Sequence, residues 1–307
     1  MAKVLVTGSS GFVGQHLIKY LIDKGDEVYK CSRKFSTELN AVQCDLANIN
    51  DTDRLFWMNF DKIFHLAAQS SVHVSWERPW ETIHQNINSV NNLLHVFAGT
   101  ETKIIFAGTS EVYKPSLFEL TEESELDNRS PYALSKLTTD SLIRMTAEQQ
   151  KVNCCLLRLF SHTGIGQTTN FALSSWAKQL AQMKYRKLER KIQVGNLDIK
   201  RDYLNVRDVL DCYSLVSEEQ CFGEVYNVCS GEAYLMRDLL HQLIEISKLD
   251  VEICVNEKFV RKNDIGLIQG SHDKIAKKFG WEPKIPIKQT LTELYNYWEE
   301  KVRNEHV

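Results

Sequence analysis

The stretch Thr7-Gly8-Ser9-Ser10-Gly11-Phe12-Val13-Gly14 follows an apolar run that begins at Lys3 and opens a helical pattern ending at Gly25. Glycines at 8, 11 and 14 let the backbone approach a pyrophosphate closely, and that anion then rests on the positive N-terminus of the helix. Strand, glycine turn and helix at the head of the chain therefore predict a dinucleotide site at the first crossover of a parallel sheet. The motif alone fits many chemistries, so the rest of the chain has to narrow it.

Short apolar runs recur at 27–32, 41–46, 62–68, 103–108 and 154–160, with long helical stretches at 80–98 and 131–150. Continuous apolar strands separated by helices imply a parallel sheet covered on both faces. The expected class is α/β, a Rossmann-type doubly wound parallel sheet. Beyond Phe160 the alternation loosens into a helix near 171–188, a strand at 224–231, a helix from Met236 and a polar C-terminal tail. The division expected is a cofactor domain over 1–165, to which 205–230 return, and a smaller, interrupted substrate lobe over 166–204 and 231–307. With 307 residues, 43% of them hydrophobic, the chain can bury two such cores, and a net charge of −3 gives no general attraction to nucleic acid or anionic membrane. Its eight cysteines are scattered and form no CxxC pair, which reads as reduced core residues rather than a disulfide or zinc framework. No signal peptide precedes the first strand and no apolar run reaches about 18 residues, so a cytoplasmic location is expected.

At the cofactor end, the second strand finishes with Ser32 and Arg33, where a site selecting NAD usually carries an acidic residue for the ribose hydroxyls. A hydroxyl and a guanidinium suit a 2′-phosphate instead, which favours NADP(H), with NAD(H) as the alternative. Asp45 and Leu46 are placed to meet the adenine, and Ala67 and Ala68 to flank the cofactor. Their neighbours Phe12, Val13 and Leu66, together with Phe160 at the end of the last strand, complete the expected contacts.

The catalytic end is carried by Ser130-Pro131-Tyr132-Ala133-Leu134-Ser135-Lys136, which puts Tyr132 and Lys136 four apart on one helix face. Chemistry at a carbonyl needs a proton donor for the developing alkoxide. A phenol, ordinarily near pKa ~10, is expected to be acidified by the neighbouring ammonium and a cationic nicotinamide. Lys136 is expected to grip the nicotinamide ribose, so that Tyr132 and Lys136 also meet the cofactor. Thr109 would give the second hydrogen bond to the substrate oxygen. Beside it stand Ser110 and Glu111, and a carboxylate there leaves two chemistries open: plain hydride transfer, or a dehydration in which a base removes a carbon-bound proton.

These motifs together (residues 7–14, His65 to Val72, Gly108 to Tyr113, and Tyr132 to Lys136) resemble the extended short-chain dehydrogenase/reductases that act on nucleotide sugars. Within them, residues 162–167, 192–209, 225–231 and 264–285 are most similar to the GDP-6-deoxy-4-keto-mannose reductases, and next to the GDP-mannose 4,6-dehydratases. The resemblance implies that Asn86 helps organise the proton relay. It implies that Arg201 and Arg261 hold the nucleotide diphosphate and sugar, with Ser110, Glu111 and Ser161 in the sugar pocket. Asp202 and Asp208 would buttress the loop. Ser161 replaces the family's usual asparagine and Ile165 its usual proline, so the sugar itself, hexose or heptose, stays open. A dehydratase or epimerase recycling a tightly bound NAD(P) is the competing enzyme, and a redox-sensing dinucleotide-binding protein the non-enzymatic alternative. Apolar residues on 80–98 and 131–150 point to a homodimer through a four-helix bundle, as in relatives.

Overall fold

The computed structural model describes residues 1–186, 188–260 and 264–305. Arg261 lies outside the described residues. Seven strands form the central sheet: β1 (Lys3–Thr7), β2 (Glu27–Ser32), β3 (Ala41–Gln43), β4 (Lys62–His65), β5 (Lys103–Ala107), β6 (Cys154–Leu159) and, after three strands outside this sheet, β10 (Phe222–Val228). Their order is β10-β6-β5-β4-β1-β2-β3, and every neighbouring pair is parallel. Strand order reverses between β1 and β4, and ligands of open α/β sheets bind outside the carboxyl ends at such a point.

Both faces of the sheet are covered, which is why its strands are apolar at successive positions. On one face Val4 and Val6 pack with Leu17 and Leu21 of α1 (Phe12–Asp23) and Val209 and Leu210 of α7 (Val206–Val216). On the other, Leu5 and Ile104 pack with Leu55 of α2 (Ile49–Phe56), Leu93 and Leu94 of α4 (Pro79–Val96) and Ile143 of α5 (Pro131–Thr146). The short helix α3 (Val72–Glu77) leads into α4.

A third core, separate from the sheet, joins α6 (Ala172–Tyr185), β8 (Lys191–Val194), α8 (Met236–Ser247) and α10 (Ile287–Asn304). β12 (Glu252–Val255) pairs with β8. β9 (Lys200–Asn205) pairs with β7 (Ser161–Thr163), β11 (Ala233–Leu235) and β13 (Leu267–Ile268), and α9 (Asp273–Phe279) packs back on the main sheet through Ile275.

Three expectations change. The C-terminal segment read as a polar tail is α10, whose Leu291, Leu294, Tyr295, Trp298 and Val302 recur at helical spacing and are buried against α6 and α8. The run 41–46 is strand only as far as Gln43, because Asp45 takes up turn bonding to Ala47 ahead of α2. The helix expected over 131–150 stops at Thr146, and turns carry the chain into β6. All eight cysteines are free; seven are buried and Cys254 is half-buried. No described helix is long and apolar enough to cross a membrane.

Candidate active site

The carboxyl ends of β1, β4 and β5 bring the motifs together. Gly8 has φ +65°, and a Cβ there would stand 2.9 Å from the Ala67 nitrogen, so the turn after β1 is pressed against the segment after β4. The Gly11 N–H donates to the Gly8 carbonyl (2.9 Å), which closes the turn. A Cβ at Gly14 would lie only 2.3 Å from that same carbonyl. Helix α1 then starts at Phe12 with no side chain capping it. An uncapped helix start behind a backbone-only turn fits the pyrophosphate of a dinucleotide.

A buried relay that the sequence reading passed over supports this turn. Thr7 Oγ1 accepts the N–H groups of Leu66 and Ala67, each at 3.1 Å. Its own proton therefore goes to His65 Nδ1 (3.0 Å), and His65 Nε2–H is left for Ser89 Oγ (3.3 Å), which donates on to the Asn86 carbonyl (3.2 Å). Burial, then the nearby Lys136 charge, pushes His65 down to about 3, so it is neutral in the fold. The unfolded chain, with a histidine near ~6.5, binds the extra proton between these values, and stability must fall as pH drops below about 6.5. Thermal melts should show His65→Asn flattening the loss between pH 6.5 and 4.5, by roughly 2 kcal/mol; parallel slopes for wild type and variant would contradict the assignment. The signal in the sequence was a threonine directly before the glycine turn and a histidine directly before Leu66.

The remaining cofactor positions divide. Arg33 is exposed, and Ser32 Oγ donates to the Lys34 carbonyl (2.8 Å), which shapes the loop carrying that guanidinium. Asp45 is half-buried, and its carboxylate accepts from the Ala47 N–H (3.1 Å). Leu46 is interior: its side chain packs in the core, and its carbonyl accepts from Thr52 and Asn92. Phe160 is likewise interior, against Tyr113, Cys229 and Ile268, so only its backbone can face a cofactor. Phe12 is half-exposed and stacks on His162 with ring centroids 6.3 Å apart.

Ser130 caps α5 by accepting from the Ala133 N–H (3.0 Å), and Pro131 occupies the first turn. This start aims Tyr132 and Lys136 at the end of β5. The Tyr132 phenol lies within interaction range of the Thr109 hydroxyl, and both residues are buried. Without the cationic nicotinamide, the chain's own groups do not acidify Tyr132. Burial, opposed by the Thr109 hydrogen bond and reinforced by the Glu111 charge, pushes the phenol up to about 12. Among the described residues, Lys136 Nζ donates to the Ala107 carbonyl (2.9 Å) rather than to the phenol, and burial lowers it to about 8. Ser110 is buried beside Thr109, and Glu111 is half-buried one residue on.

Asn86 is buried, and its side chain is bonded to Gln69 and Ser135. Its amide oxygen accepts from Gln69 N (2.9 Å), and its nitrogen donates to the Gln69 carbonyl (3.1 Å) and Ser135 Oγ (2.9 Å). It thus ties the segment after β4 to the helix bearing Tyr132. Ser161 lies in β7, opposite Tyr203. Arg201 donates to the Ile265 carbonyl (2.6 Å) and to Asp264 (2.9 Å). Asp202 accepts from Ser230, Gly231 and Gly270, and Asp208 from the Lys284 and Ile285 N–H groups, so both act as buttresses.

The chain matches the GDP-mannose 4,6 dehydratase family over residues 5–294. It is 32% identical to the GDP-6-deoxy-D-mannose reductase of Pseudomonas aeruginosa, across 99% of each chain. It is 26% identical to GDP-mannose 4,6 dehydratase 1 of Arabidopsis thaliana, across 92% of this chain and 85% of that one. Among solved structures, RMD from Pseudomonas aeruginosa complexed with NADPH is similar with a TM-score of 0.87 at 30% identity, covering 98% of this chain and 100% of that one.

Proposed function

The chain belongs to the GDP-mannose 4,6-dehydratase family, and on that footing we propose that it is an NADPH-dependent 4-ketoreductase of a GDP-linked 4-keto-6-deoxy sugar. The observation that carries this reading is the buried Tyr132–Thr109 hydroxyl pair at the switch point, with Lys136 one turn along the same helix. The nicotinamide cofactor, held by Gly8 to Gly14, Arg33 and the Leu66–Ala68 segment, supplies the hydride when bound. Thr109 orients the ketone oxygen. Tyr132 gives that oxygen its proton, and the Lys136 ammonium offsets the negative charge left on the phenol. Burial, and then the Glu111 carboxylate, favour the protonated phenol, the state that a donor needs before reduction.

Two comparisons weigh the same way: the reductase relative is 32% identical over 99% of this chain, the dehydratase relative 26% identical over 92% of it. Glu111 supports the competing dehydratase reading, because its charge is felt at Tyr132 and a carboxylate there could remove the C5 proton. Glu111→Gln separates the two. Reduction near the wild-type rate, with no solvent deuterium at C5 of the product, is expected. Loss of all turnover, with deuterium entering C5 in the wild type, would replace the reductase by a dehydratase.

The same reading assigns residues 1–165 and 205–230 to the cofactor, and 166–204 and 231–307 to the nucleotide sugar, with Arg201, Arg261 and Ser161 at the latter. The product would be a deoxysugar destined for surface glycans such as lipopolysaccharide or capsule, made in the cytoplasm. α4 and α5 pack side by side, and Leu134 and Met145 of α5 are exposed, which supports a homodimer through a four-helix bundle.

A further inference from the structure

A chain of buried polar groups runs behind the site without touching the reacting hydroxyls. Asp140 lies four residues beyond Lys136 and eight beyond Tyr132, on the inward face of α5. Its carboxylate accepts from Arg158 Nε of β6 (2.7 Å) and is in ion-pair contact with Arg144 (2.9 Å). Arg158 Nη1 donates to the Tyr113 hydroxyl (2.8 Å) and the Glu122 carbonyl (3.1 Å). Tyr113 in turn donates to Asn227 Oδ1 (2.5 Å), and Asn227 Nδ2 donates to the Leu120 carbonyl (3.0 Å). Arg158, Asp140, Tyr113 and Asn227 are each no more than 1% exposed.

Where the chain ends is informative. Tyr113 stands four residues past Thr109, at the close of the short turn that presents Thr109, Ser110 and Glu111. Asp140 fixes the helix that carries Tyr132 and Lys136. Leu120 pairs with Gly270, whose N–H donates to Asp202 (3.2 Å), next to Arg201. One guanidinium therefore holds the two elements whose separation sets the Tyr132–Thr109 distance, and the far end of the network reaches the substrate lobe. Burying a guanidinium and a carboxylate gives little stability that apolar packing could not match, while the planar fork fixes direction.

We propose that Arg158 is a positioning residue, which acts through Asp140 and Tyr113 to hold the Tyr132 phenol and the Thr109 hydroxyl at the spacing that proton donation to the substrate oxygen requires. The proposal rests on the assignment of Tyr132 as proton donor. Tyr113→Phe tests it by deleting one hydroxyl while keeping the ring against Phe160, and Asp140→Asn by deleting one charge at constant volume. The full-length enzyme is assayed with NADPH and with NADPH deuterated at the transferred position. Both variants should lower kcat about tenfold, with KM for the sugar and NADPH affinity within about twofold of wild type. The hydride isotope effect on kcat should rise, because misplaced hydroxyls make the chemical step slower relative to product release.

An unchanged kcat in folded protein overturns the proposal. So does a rise in KM alone, or a fall in kcat that follows the folded fraction with the isotope effect unmoved. If the wild type dehydrates GDP-mannose instead of reducing a ketone, the reductase reading falls, and the variants are read on that reaction with C4-deuterated substrate. The same isotope criterion then decides the positioning role. Asp140→Glu, which keeps the charge, should recover part of the kcat lost in Asp140→Asn; no recovery counts against the proposal.

Discussion

Tyr132→Phe is expected to lower kcat for ketone reduction by about 10²–10⁴-fold, the range contributed by one positioned acid, while the protein still folds and still binds NADPH. The phenol has one role that a phenyl ring cannot take over. Its hydroxyl is the Thr109 partner, and the carboxylate of Glu111 together with burial keeps it protonated until an alkoxide develops beside it. The ring itself is buried and would remain so. The loss should fall on kcat more than on KM, because the proton is needed only as negative charge builds on the substrate oxygen. Steady-state kinetics by NADPH absorbance, with circular dichroism to confirm the fold, checks this. Retention of full turnover would mean that another group supplies the proton.

The second large effect is expected at the other end of the site. Gly14→Ala places a Cβ 2.3 Å from the Gly8 carbonyl oxygen and 3.1 Å from Ser9 Cα, atoms of the backbone that cannot swing aside. The turn has to open, and the N–H groups at the start of α1 move away from where a pyrophosphate would rest. A displacement near 1 Å at a positioned group can cost about 10²-fold, and NADPH affinity should weaken by at least that much. Gly11→Ala makes a graded control, since its Cβ would meet the same carbonyl at 3.1 Å and a few tenths of an ångström relieve it. Calorimetric titration with NADPH should rank wild type, Gly11→Ala and Gly14→Ala in that order. Equal affinities would remove the glycine turn from the cofactor site.

Much of this was legible in the residues because the information is local. A glycine turn needs its glycines at fixed offsets, a Tyr–Lys pair needs one helical turn, and a doubly covered strand has to be apolar at successive positions. What the sequence reading missed depends on residues far apart in the chain. Arg158 and Asp140, 18 positions apart, form a pair only once β6 and α5 lie side by side. Leu46 follows β3 by three residues and Phe160 directly follows β6; each side chain has an apolar neighbourhood waiting for it, which leaves backbone rather than side chain to face a cofactor. The acidification of Tyr132 depends on the ammonium and on a cationic nicotinamide together. Spacing puts the ammonium on the right face but does not say that the Ala107 carbonyl takes its proton. The C-terminal helix could have been read: apolar residues at 291, 294, 295, 298 and 302 were visible, but the charged residues between them hid the stripe.

On this account the chain moves a hydride from NADPH onto a sugar ketone and delivers the accompanying proton from Tyr132. Purified protein should be mixed with NADPH and a GDP-linked 4-keto-6-deoxyhexose, the cofactor followed by absorbance and the product identified by NMR. One NADPH consumed for each new C4 hydroxyl is the result expected. Conversion of the sugar with no net loss of NADPH would contradict it.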